Sequence, residues 1–158
     1  MNLLLLAALL SPASIQLSFH SSAEKVFYDQ PTAGAPRWHV DMARGEYESF
    51  QLLVKAPFGG LKNVRVTVTG PVRAQVNPVG FVETKPDDRR PWGKPVRLGW
   101  WPDPLLPNRP FDVAVGETQP VWVTLHVPLG AKAGRAQGRV HVTADGAAAA
   151  EAGFDVTV

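Results

Sequence analysis

One stretch constrains the fold more than any other: Ala43 to Val54, reading Ala-Arg-Gly-Glu-Tyr-Glu-Ser-Phe-Gln-Leu-Leu-Val. A turn signal at Arg44-Gly45 is followed by alternation. Phe50, Leu52 and Val54 point one way; Ser49, Gln51 and Leu53 point the other. Period two over this length marks a half-buried β-strand. The run is too long and too regular for an edge, so it is expected in the interior of a sheet.

The same pattern recurs along the chain. Trp38, Val40 and Met42 alternate with His39 and Asp41, and Val64, Val66 and Val68 with Arg65, Thr67 and Thr69. Val121, Val123, Leu125 and Val127 alternate with Trp122, Thr124 and His126. Val140 and Val142 precede Asp145-Gly146, a strong hairpin signal, and Phe154, Val156 and Val158 lie on the return. Shorter strands are expected at Lys25–Asp29, Val72–Val76 and Val79–Glu83, the last two separated by Asn77-Pro78. Outside the N-terminus no helical pattern stands out. Many short strands between turns predict an all-β, antiparallel β-sandwich of immunoglobulin-like or jelly-roll kind.

From Thr84 to Pro110 the alternation stops. Seven prolines fall here, with Trp92, Trp100 and Trp101. A loop this long without structure of its own is uncommon in a compact domain and often functional. So many aromatics predict that it is ordered by packing.

The 158 residues suit one domain, large enough to bury roughly 70% of its unfolded surface. The net charge is +2, and Arg89-Arg90, the one compact basic pair, directly follows Asp87-Asp88. Nucleic acid needs a basic stripe, so it is not an expected partner. With no cysteine, disulfides, thiolate chemistry and cysteine-bound zinc are excluded. Met1 to Leu10 is an apolar run of signal-peptide length, well short of the ~20 residues that span a bilayer. Small residues at Ser11-Pro12-Ala13 and Ser21-Ser22-Ala23 offer cleavage after Ala13 or Ala23. The later site gives a leader of ordinary length, hence a signal peptide at 1–23 and a sandwich at 24–158. The run has no Lys or Arg before it, which leaves a buried N-terminal helix as the competing reading. Export to the periplasm, cell surface or medium is the expectation, with no membrane span in the mature chain.

Several landmarks then occur in order: Glu24-Lys25-Val26, Ala43 to Gln51, Pro102-Asp103-Pro104-Leu105-Leu106-Pro107, Gln119 to Val123, Val127 to Gly130, Ala133-Gly134 and Gly138-Arg139-Val140. Together they resemble the N-terminal β-sandwich of glycoside hydrolase family 123 and of proteins carrying a DUF4091 region, over roughly Glu24 to Val158. The resemblance implies a (β/α)₈ barrel after the sandwich. That barrel would hydrolyse N-acetylgalactosaminides with retention, assisted by the substrate's acetamido group, using an adjacent Asp-Glu pair. This chain has no such dipeptide. The expectation is therefore a sandwich without catalysis of its own and without cofactor, either a fragment of a longer product or a solitary accessory domain. Its partner would be a barrel in cis or a glycan.

Glu46 and Glu48 share a strand face, a spacing that two glycosidase carboxylates could use, but a position just after a turn predicts backbone and arginine partners instead. Asp87 and Asp88 read as a solvated cluster with their arginines. His20, His39, His126 and His141 lack metal-ligand spacing, and no metal site is expected. The best candidates are Trp92, Trp100 and Trp101. They would pack on their own core, dock a neighbouring domain as interface anchors, or meet the apolar C–H face of a sugar. Asp103, between two prolines, reads as a turn-capping residue beside them. Three functions compete: an accessory sandwich on a barrel, an independent carbohydrate-binding module, and a surface adhesion domain.

Overall fold

The computed structural model describes residues 13–85 and 97–158. Ten strands form two five-stranded sheets. They are β1 (Gln16–Ser21), β2 (Trp38–Asp41), β3 (Tyr47–Lys55), β4 (Leu61–Thr69), β5 (Arg73–Thr84), β6 (Gly99–Leu105), β7 (Phe111–Val113), β8 (Thr118–His126), β9 (Arg135–Thr143) and β10 (Ala150–Thr157). One sheet runs β1-β3-β8-β5-β6 and the other β2-β10-β9-β4-β7. Pairing is antiparallel except where β2 runs parallel to β10. The chain is an all-β sandwich.

The core follows from alternation. Phe50, Leu52 and Val54 of β3 and Val121, Val123 and Leu125 of β8 meet Val64 and Val66 of β4, Val140 and Val142 of β9, and Phe154 and Val156 of β10. All of them are buried, and β3 lies inside its sheet as its pattern required. The opposite face of β3 is half covered as well, for Gln51 and Leu53 are also buried.

Four expectations change. Gln16–Ser21 lies within the expected leader, yet it pairs with β3 from Gln16↔Lys55 to Ser21↔Phe50. Phe19 is 1% exposed and edge-on to Phe50, with ring centroids 5.4 Å apart. The boundary at Glu24 thus falls after a strand of the sheet. Lys25–Asp29 is not a strand. Its apolar side chains find separate partners, and Gln51 supplies a hydrogen bond to the Glu24 carbonyl. Arg73–Thr84 is one strand because Pro78 sits where β5 changes partner, from β8 to β6, so its missing N–H interrupts little. Gly99–Leu105, expected in a loop, pairs with β5. Pro102 and Pro104 are tolerated because β6 is a sheet edge.

At the far edge of the second sheet, Arg37 joins the start of β2 to β10. Its guanidinium grips Asp155 with two hydrogen bonds, Nη2 to Oδ1 at 2.6 Å and Nε to Oδ2. That hydrogen bonding, helped by Gln137, holds the Asp155 carboxyl at about 2, below the usual ~3.9. Since the folded value is the lower one, this contribution to stability is present above about pH 4 and is lost as pH falls towards 2. A carboxyl NMR titration should find Asp155 near 2 and return it towards the ordinary range in Arg37→Ala. An unchanged midpoint in that variant would remove the guanidinium as the cause.

Candidate functional site

Residues 22–30 cross the outer face of the first sheet as a strap, and two clefts form beside it. Gln51 Nε2 donates to the carbonyls of Ser21 (2.7 Å) and Glu24 (2.8 Å), fixing the strap's start. Val26 is fully buried under it. Lys25 Nζ donates to the Pro102 carbonyl (2.8 Å) and lies 3.7 Å from Asp103 Oδ1. Phe27 meets Trp101 edge-on at 5.2 Å, and Tyr28 meets Phe81 in the same way. Arg97 lies 3.7 Å over the Phe27 ring and donates to Asp29 Oδ1 at 2.7 Å. The strap and the β5–β6 hairpin therefore hold each other.

Two clefts result. The first, about 270 Å³, lies between the strap, β6 and β8, with Val26, Val79, Leu105 and Trp122 as apolar lining and Glu24, Lys25 and Asp103 as polar lining. The second, about 330 Å³, is lined by Tyr28, Phe81, Trp100, Asp112 and Glu117 among others. Asp112 there is bound to Lys62 and to the Asn63 amide, and those hydrogen bonds hold its carboxyl below the usual range. It is a structural anion, not a proton donor near neutral pH.

The expected site residues separate. Trp101 is an internal prop: its indole Nε1 donates to the Arg97 carbonyl (2.7 Å) and its ring faces Phe27. Trp100 is 46% exposed and lines the second cleft. Asp103 caps no turn. It lies within β6, exposed at the mouth of the first cleft. Trp92, Asp87, Asp88, Arg89 and Arg90 lie outside the described residues. Glu46 Oε2 accepts from the Ala43 amide, a turn-closing role of the kind its position implied. Among the described residues no group of three or more His, Asp or Glu is placed to hold a metal ion.

Sequence reasoning missed Trp122 and Arg97. Trp122 alternates outward on β8, in register with Gln51 and Asn77. A large aromatic on a solvent-facing strand position was the available signal. Arg97 carries no local pattern, since its partners Phe27 and Asp29 are distant in sequence.

No protein-family model matches the sequence, and no curated protein matches it. Among solved structures, a family 123 glycoside hydrolase from Clostridium perfringens, described in connection with glycolipid glycan hydrolysis, is similar over 92% of this chain. The TM-score is 0.77 at 13% identity, and this chain spans only 27% of that one. AvmM, which catalyses macrocyclization in alchivemycin A biosynthesis, is similar over 91% of this chain with TM-score 0.42 and 10% identity, covering 89% of its own chain. A PapD-like domain of human CEP192 follows at TM-score 0.37 and 11% identity, over 87% of this chain and 96% of that one. The first of these shares the sandwich fold.

Proposed function

We propose that this chain is a non-catalytic accessory β-sandwich of a secreted, glycoside-hydrolase-like protein. It docks the β5–β6 edge against a barrel-type catalytic domain of the same polypeptide. The observation that carries the reading is where apolar surface is left open. Of the nine exposed large apolar side chains among the described residues, five lie on or beside this hairpin: Val82, Leu98, Trp100, Leu105 and Leu106. Large apolar side chains left open along one hairpin mark an interaction surface. The prolines of β6 remove backbone donors at the edge, so a partner meets it through side chains rather than as a further strand.

The fold likeness to part of a much longer family 123 enzyme supports an accessory role. Export through the apolar N-terminus is part of the proposal, with cleavage after Ala13, because β1 begins only at Gln16.

The purified 158-residue chain should release no chromophore from an aryl N-acetylgalactosaminide. Turnover above the buffer blank would end the proposal. Docking is tested separately: Trp100→Ala should weaken association with the catalytic region about tenfold or more, as an interface anchor does. Unchanged association would place the interface elsewhere.

A further inference from the structure

We propose that the cleft between the strap, β6 and β8 binds a single pyranose ring, such as the terminal unit of a glycan, with Trp122 as its platform. This goes beyond the accessory role; of the docking-edge side chains only Leu105 is shared with the cleft.

The lining has two kinds of surface. Val26, Val79, Leu105 and Trp122 are apolar, and Trp122 brings an indole to the lining. A pyranose presents a flat array of C–H bonds that an indole face covers. The lining also carries charge of both signs: the Lys25 ammonium lies 3.7 Å from Asp103, and Glu24, 3.5 Å from His20, borders the same cleft. Ionised carboxylates only accept hydrogen bonds, and an ammonium only donates. A ligand satisfying all three must donate and accept at neighbouring positions, as vicinal hydroxyls do. An anionic ligand would face two carboxylates, and a simple cation would face Lys25, so neither complements the set.

Size narrows the choice. About 270 Å³ lies just below the ~300–1,000 Å³ of pockets that enclose drug-sized molecules, which suits one ring rather than a chain. The site is also preorganised. Lys25 is tethered to the Pro102 carbonyl, and both Nε2 protons of Gln51 are used on the strap, so the cleft walls are set before a ligand arrives.

The test is a ¹H–¹⁵N NMR titration of the 158-residue chain with methyl pyranosides of glucose, galactose and N-acetylgalactosamine, each to millimolar concentration, and with sorbitol as the acyclic comparison. At least one pyranoside should give saturable shifts at the Trp122 indole N–H and the amides of Val79 and Asp103, with sorbitol giving none. Trp122→Ala should weaken binding tenfold or more and Asp103→Asn several-fold, while Trp100→Ala leaves it unchanged. Asp103 is exposed, so its variant reports on the site without threatening the fold. No saturable shift with any pyranoside, an equal response to sorbitol, or shifts that survive both Trp122→Ala and Asp103→Asn would overturn the proposal.

Discussion

A chain lacking residues 1–23 will fail to fold, whereas one lacking only residues 1–13 will give a cooperative thermal transition like that of the whole chain. The difference between the two is β1. Removing it deletes a six-residue ladder with β3 and takes Phe19 from against Phe50. It also removes the Ser21 carbonyl that receives Gln51, leaving one proton of a buried amide unpartnered. Emptying a buried phenylalanine site costs about 3–5 kcal/mol, and an unpaired buried polar group about 1–3 kcal/mol more. Against a typical total of 5–15 kcal/mol, the sum with the lost ladder uses up most or all of the stability. Circular dichroism with thermal unfolding reads the result. Matching transitions for the two truncations would mean that β1 is dispensable, and cleavage after Ala23 would again be open.

The second large effect is expected at Gly138. It stands directly across from Phe154, the pair joining β9 to β10. The Phe154 ring lies over the glycine: a Cβ placed there would meet ring carbons at 2.1, 2.5 and 2.6 Å. An aromatic covering a strand glycine is a known stabilising device in sheets. Phe154 is fully buried and also packs on Phe50 at 5.4 Å, so it has nowhere to retreat. Gly138→Ala should cost about 1–3 kcal/mol or somewhat more. For a domain of this size that lowers Tm by about 2–4 °C per kcal/mol. Gly130→Ala is the control, since nothing lies within 4 Å of its added carbon. In a double-mutant cycle, Phe154→Ala should relieve most of the Gly138→Ala penalty, because the clash then has no partner. Equal Tm for Gly138→Ala and Gly130→Ala would contradict the ring placement.

Both expectations turn on features of unequal legibility. The strands β3, β4, β8, β9 and β10 could be read from alternation, because each packs one face on the shared core and period two survives. β1 carries the same signal, Leu17 and Phe19 between Ser18 and His20, but it sits where a leader was expected. β6 was hidden by Pro102 and Pro104, which read as strand breakers until it is known that the strand is an edge. Asn77-Pro78 misled for a related reason, since a proline at a change of pairing partner costs little.

The clefts were less legible than the fold. Trp100 and Trp101 are adjacent in sequence, yet one faces a partner ring and the other is open to solvent, a distinction made by alternation on β6. The strap could not be read at all: its position depends on Gln51, Arg97 and Trp101, each far from it in sequence. Concavity arises from those long-range contacts, so Trp122 comes to line a cleft only once they are in place.

Hydrogen exchange tests the accessory role most directly. Amide exchange across the β5–β6 hairpin, from Val82 through Leu98 to Leu106, is compared in the 158-residue chain and in the complete polypeptide its gene encodes. If the edge docks a catalytic domain, exchange there slows in the longer polypeptide while β2, at the other sheet's edge, and its neighbour β10 are unchanged. A reading frame that stops at Val158, or exchange at the hairpin that is the same in both contexts, would contradict it.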